Sequence, residues 1–253
     1  VGISSNYTLL SGTLNSLLNQ LFSGITASVG NYNALESREK KLELFKFINL
    51  TNFWLFGWAT IGIIVLSSDI IRLLFGNNYV LPLNIPCIIG LNFYTVGMQN
   101  AVWTYKNTMG IFKQGRYLLF FTAMLNLILS IFLGNKYGLF GILFATFISR
   151  LLTNIWYDPY AVFKYGLEEN VYWYFIKYIQ YLLVLILTVI LCLIICSYFK
   201  MSLYLNIILK LLICSIIPNI IFFLAFNNSS EFKYVLNKVV ELKIKIKSIL
   251  VNI

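Results

Sequence analysis

Histidine is absent from all 253 residues, which removes the commonest general base and a common metal ligand together. Charge is scarce as well. Asp, Glu, Lys and Arg make up 11% of the chain, and acids are the scarcer sign, 9 against 19 basic residues. A chain with so few charges has no room for a large aqueous catalytic domain. The four cysteines, Cys87, Cys192, Cys196 and Cys214, lie in apolar runs without paired-ligand spacing. They read as small packing residues rather than disulfides or metal ligands. Neither Gly110 with Gly115 nor Gly138 with Gly141 has the strand-to-helix context or the GK[ST] element of a phosphate loop. The second pair reads as a close helix approach. No charged segment precedes a short apolar core at Val1, so no signal peptide is read, and the lack of an initiator Met points to a piece of a longer chain.

Apolar residues are what the chain has instead: 59% of it, with a mean hydropathy of +0.80. They fall into long runs such as residues 182–195, interrupted by short basic loops. A hydrocarbon core of roughly 30 Å takes about 20 apolar residues of helix, because no backbone donor or acceptor can stay unpaired in lipid. The pattern predicts an all-α, polytopic transmembrane bundle of about seven spans: 4–34, 47–75, 83–105, 118–133, 138–157, 172–199 and 203–226. Residues 1–226 form this bundle, and 227–253 form a basic cytoplasmic tail. The formal charge of +10 would suggest nucleic acid in a soluble protein. Here Lys and Arg gather in alternate loops, so they set orientation, and no nucleic-acid partner is expected. Arg38, Lys40, Lys41, Lys106, Lys113, Arg116, Lys164 and the tail lysines mark the cytoplasmic side, which places Val1 outside and Ile253 inside.

Four spans carry polar stripes. Ser4, Thr8, Ser11, Asn15 and Asn19 recur at helical spacing in the first. The third has Asn92, Thr95, Gln99 and Asn100, with Trp103 close by. The fourth has Thr122, Asn126 and Ser130 at i, i+4 spacing, and the fifth has Thr146, Arg150 and Thr153 beside Asn154. Any one such residue can be glue between helices. Four stripes together suit a hydrophilic cavity, which needs several polar faces turned to one place. The sixth and seventh spans lack stripes and belong at the lipid-facing periphery.

Arg150 is the sharpest single residue. It lies about 18 Å along its helix from Gly138 at ~1.5 Å per residue, and its guanidinium either meets phosphate or snorkels to the cytoplasmic headgroups. Lys210 reads as snorkelling outward, and Asp69 with Arg72, three apart, as a local ion pair. Asp158-Pro159 reads as the end of the fifth span. From Glu231 to Ile253 apolar residues interleave with lysines, as in an interfacial helix on an anionic leaflet, although the 242–247 alternation is also strand-like and a disordered basic tail fits as well.

Residues 1–8 (Val-Gly-Ile-Ser-Ser-Asn-Tyr-Thr), 91–98 (Leu-Asn-Phe-Tyr-Thr-Val-Gly-Met), the loop 106–117, 126–130 (Asn-Leu-Ile-Leu-Ser) and 137–142 (Tyr-Gly-Leu-Phe-Gly-Ile) resemble the C-terminal half of bacterial polysaccharide-biosynthesis flippases of the multidrug/oligosaccharidyl-lipid/polysaccharide exporter superfamily. The similarity covers most of Val1 to Leu167. It implies a transporter of two lobes around a central cavity, of which this chain supplies most of one, in a bacterial cytoplasmic membrane. The implied cargo is an undecaprenyl-pyrophosphate-linked oligosaccharide. Arg150 would meet the pyrophosphate, and Asn15, Asn19, Gln99 and Asn126 would hydrogen-bond the sugar. Membrane lipids, a polysaccharide polymerase and glycosyltransferases are the implied partners, with no cofactor and no catalytic role. Gly115 and Thr122 stand where acidic residues are expected in relatives. The alternatives are a membrane-embedded polysaccharide polymerase, ligase or acyltransferase, which the lack of His and of paired carboxylates disfavours, and an exporter of small cationic drugs, which would want a buried acid.

Overall fold

The computed structural model describes residues 2–199, 202–234 and 236. Helices follow one another as α1 (Gly2–Leu35), α2 (Arg38–Phe75), α3 (Asn84–Thr108), α4 (Leu118–Leu152), α5 (Asn154–Val162), α6 (Tyr172–Ser197) and α7 (Leu203–Phe226), with a short 3-10 turn at Asn77–Tyr79 and a π-turn at Phe163–Leu167. No strand occurs among the described residues. The all-helical class is therefore as the periodicity predicts. Four described helical runs are long and apolar enough to cross a membrane: α2, the run Leu118–Leu167, α6 and α7. Helices α1 and α3 have the length, 34 and 25 residues, but their polar stripes dilute them. Residues 237–253, which hold most of the basic tail, lie outside the described residues.

The centre of the bundle is α2 against α3. In a bilayer the tails are as apolar as the side chains, so helices hold together by close packing and hydrogen bonds. Two glycines of α3, two turns apart on one face, allow that packing. A Cβ at Gly97 would lie 2.0 Å from the ring of Phe56, and one at Gly90 would lie 2.6 Å from Ile64. With the backbone brought so near, Asn52 Nδ2 of α2 donates to the carbonyl of Gly97 at 2.9 Å.

Helices α6 and α7 each bury one face against α2, in keeping with their predicted periphery. Tyr174, Tyr178, Tyr181, Leu185, Cys192 and Cys196 turn inward from α6, and Cys214, Pro218, Phe222 and Phe226 from α7. Tyr181 stacks on Phe53, with ring centroids 4.4 Å apart. Pro218 has no N–H to return to the carbonyl of Cys214, one turn earlier. Trp58 Nε1 of α2 donates to that carbonyl at 2.9 Å, so the kinking residue becomes a tie between helices. The cysteines are free thiols, three of them buried.

Helix α4 is a hairpin. Gly138 has φ 59 and ψ −138, a conformation open to glycine alone. The chain then folds back so tightly that a Cβ at Gly141 would lie 2.0 Å from the Leu133 carbonyl oxygen. Asn126 on the outgoing arm reaches Thr146 and Ser149 on the returning one.

Two sequence readings need correction. Asp158-Pro159 does not end a span, because α5 runs on to Val162 with Pro159 inside it. The break falls at Thr153 (φ −126, ψ −86). Pro159 forfeits a single hydrogen bond near the new helix start, and Asp158 is buried there by an ion pair rather than exposed in a turn. Lys210 does not reach outward either, since its Nζ lies 2.5 Å from Asp69 Oδ2. Arg72 stands 3.6 Å from the other carboxylate oxygen. A carboxylate with so little contact with water needs a cation close by, and that need outweighs snorkelling. A third buried acid, Glu231, meets Lys177 at 3.2 Å, which ties the start of the tail to α6.

Candidate functional site

Polar faces of α3, both arms of α4 and the start of α5 converge on one cavity of about 620 Å³. The polar part of its wall is Thr95, Gln99 and Trp103 from α3, Thr122, Asn126 and Ser130 from the outgoing arm, Thr146, Ser149 and Arg150 from the returning arm, and Asn154 from α5, with Val96, Leu119, Ala123, Leu127 and Ile155 as the apolar remainder. Helical spacing explains the convergence. Residues 122, 126 and 130 fall one above another on one arm, as do 146, 150 and 153 on the other, and the Gly138 turn sets the two rows face to face. A smaller cavity of about 210 Å³ lies between α1 and α3, lined by Thr8, Ser11, Asn15, Asn92, Thr146 and Arg150. Thr146 and Arg150 belong to both.

Arg150 therefore sits between the two spaces. Its Nη1 points at Asn92 Oδ1 from 3.4 Å, a long contact. Asn92 is fixed for this by donating both amide hydrogens elsewhere, to Ile88 O at 3.0 Å and Leu143 O at 2.9 Å. No carboxylate lies within salt-bridge distance of Arg150 among the described residues. A planar cation with most of its donors uncommitted is suited to an incoming anion. Gln99 is also open: it is 3% exposed, lines the larger cavity, and has neither amide atom in a hydrogen bond. Asn15 Oδ1 is likewise buried without a donor.

The other two predicted residues are already engaged. Asn126 Nδ2 donates to Thr146 Oγ1 at 3.1 Å and to Ser149 Oγ at 3.3 Å, and Oδ1 accepts from Ser130 Oγ at 3.1 Å. It lines the cavity while latching the hairpin. Asn19 lines neither cavity, and its Oδ1 accepts from Asn100 Nδ2 at 2.7 Å, joining α1 to α3. Thr122 Oγ1 lies 2.6 Å from Asn154 Oδ1 and 2.8 Å from Thr153 Oγ1, so its hydroxyl closes the hairpin base.

A further chamber of about 340 Å³ adjoins the larger cavity through Trp103, Leu119 and Asn154 and carries Lys106, Arg116 and Asp158. Lys106 Nζ meets Asp158 Oδ1 at 2.6 Å, and Trp103 Nε1 points at Oδ2 from 3.4 Å. This pair was not read from the sequence. Its members are 52 residues apart, and no local spacing announces it.

Fold and site together define, among the described residues, an all-helical protein with membrane-length apolar helices and a cavity of mixed polar and apolar lining between α3, α4 and α5. No family model, curated protein or solved structure matches the chain.

Proposed function

We propose that the chain forms most of one lobe of a flippase that passes an undecaprenyl-pyrophosphate-linked oligosaccharide from the inner to the outer leaflet of a bacterial cytoplasmic membrane. The observation that carries this reading is the polar part of the larger cavity's lining, hydroxyls, amides, one indole and a single guanidinium without a carboxylate partner, set among the apolar side chains of Val96, Leu119, Ala123, Leu127 and Ile155. Hydroxyls and amides match sugar hydroxyls, an indole face takes the apolar side of a pyranose, and the guanidinium matches a phosphate. Transport needs two alternating openings of such a cavity and breaks no bond.

The charge at the mouth supports the same ligand. Asp158, the buried acid nearest the cavity, is held by Lys106, so the space offers an uncommitted cation to an anion rather than an acid to a cationic drug. In this reading α1, α3 and the two arms of α4 cross the membrane with α2, α6 and α7. Their polar stripes are tolerated because they face the cavity or one another. The basic loops and the C-terminus then face the cytoplasm.

Deleting the gene tests the reading. Surface polysaccharide should disappear while the lipid-linked oligosaccharide accumulates, and the accumulated lipid should lie in the inner leaflet of spheroplast membranes, out of reach of an added glycosidase. Normal surface polysaccharide in the deletion strain, or accumulation in the outer leaflet, would refute it.

A further inference from the structure

At the other end of α2 from the basic loops, a cavity of about 410 Å³ opens between α2, α6 and α7. Its inner wall is apolar, with Ile64, Val65 and Leu193, and its rim holds Asp69, Arg72, Asn206 and Lys210. Arg72 lies three residues before the end of α2 at Phe75, and Lys210 seven after the start of α7 at Leu203. At ~1.5 Å per residue both lie about 5–10 Å inside the helix ends, within reach of the headgroups that meet this end of the bundle. Leu73, Leu74 and Phe75 are exposed beside them, as lipid-facing residues are.

Two cations share one acid here. Lys210 takes Asp69 at 2.5 Å, while Arg72 stays at 3.6 Å with its remaining donors open to the rim. The rim thus carries one positive charge in excess, on an Arg72 side chain that is 43% exposed. Reaching toward water would satisfy Arg72, but it would leave Asn206 Oδ1 buried without a hydrogen-bond donor, which costs free energy until a donor arrives. An anion and a hydrogen-bond donor on one molecule, attached to an apolar body, is the description of a phospholipid.

We propose that this cavity binds a phospholipid of the leaflet at this end of the bundle, with its phosphate on Arg72 and Lys210, a headgroup hydroxyl or ammonium donating to Asn206 Oδ1, and the start of an acyl chain on Ile64, Val65 and Leu193. The bound lipid bridges α2 to the peripheral pair α6 and α7, where Asp69–Lys210 is the protein's own tie.

Thermal melting of the intact protein in detergent, with phosphatidylglycerol, diacylglycerol or inorganic phosphate added, tests the site. Phosphatidylglycerol at about a hundred times its Kd should raise Tm by about 5–10 °C, diacylglycerol and inorganic phosphate should not, and Arg72→Gln should remove most of the rise. Arg72→Lys should recover part of it, because charge survives while the fork is lost. An equal rise with diacylglycerol would show that no phosphate is recognised, and a rise with inorganic phosphate alone would assign the site to a soluble anion. Either result overturns the proposal, as does an undiminished rise in Arg72→Gln. Should that variant fail to fold, the three additives compared on the wild-type protein still decide between these outcomes.

Discussion

Replacing Arg150 with alanine in the chromosomal copy should reduce polysaccharide export by at least about thirtyfold while leaving the protein's abundance near normal. The size follows from the roughly 2–5 kcal/mol lost when one member of a desolvated, hydrogen-bonded charge pair is removed. Abundance should hold because the guanidinium supports little of the fold, its hydrogen bond to Asn92 being 3.4 Å long. Arg150→Lys should restore part of export, since the charge remains and the planar fork does not. If the guanidinium served only to reach the headgroup region, both variants would export normally. Export is read as surface polysaccharide per cell and abundance by immunoblot of the membrane fraction.

Asp158→Ala should be the most destabilising of the substitutions considered, at about 3–5 kcal/mol, because it strands a largely buried cation. Lys106 is 18% exposed and loses a 2.6 Å partner, and Trp103 Nε1 loses its acceptor. The pair joins α3 to α5 beside the cavity, so losing it loosens the wall that carries Trp103. A double variant, Lys106→Met with Asp158→Leu, should regain most of the lost stability, because two apolar groups of similar size leave no charge unpaired. Melting of the single and double variants in detergent measures the coupling, and a double variant no more stable than Asp158→Ala would contradict this account of the pair.

Periodicity made the helices legible. The ends of α7 at Leu203 and Phe226 and the start of α6 at Tyr172 coincide with the apolar runs, because polar and turn residues bracket them. The hairpin at Gly138 was legible for the same reason, and so was each of its polar rows, since residues at i, i+4 share a face, while the facing of the two rows is set by the Gly138 turn. What spacing cannot show is which hydrogen bonds a row has already made. Asn126 and Asn19 have the same residue type and the same stripe context as Asn15, yet the first latches the hairpin and the second is taken by Asn100, while Asn15 Oδ1 has no donor. Asp69 with Arg72, three apart, was legible and is formed, whereas the long-range ion pairs were hidden by distance along the chain, Asp69 and Lys210 being 141 residues apart. Gly90 and Gly97 look like ordinary helix interruptions until the rings of α2 are placed against them. Pro159 misled because its effect on a helix depends on where the helix starts, which Thr153 decides by a backbone turn that no residue type there announces.

On the proposed function, the facing rows of the hairpin enclose a space that water and a hydrophilic ligand enter. Ser130 lines that space, and Ile131, the next residue, is 60% exposed on the outer face of the same helix arm. Each is replaced by cysteine in a background lacking the four native cysteines, and its rate of reaction with a charged, membrane-impermeant thiol reagent is measured. Only a thiolate reacts, and a thiolate forms in water rather than in lipid. Ser130→Cys should react quickly and slow down when lipid-linked oligosaccharide accumulates, while Ile131→Cys should stay inert at the same depth. Equal inertness at the two positions, or faster reaction at 131, would contradict the cavity.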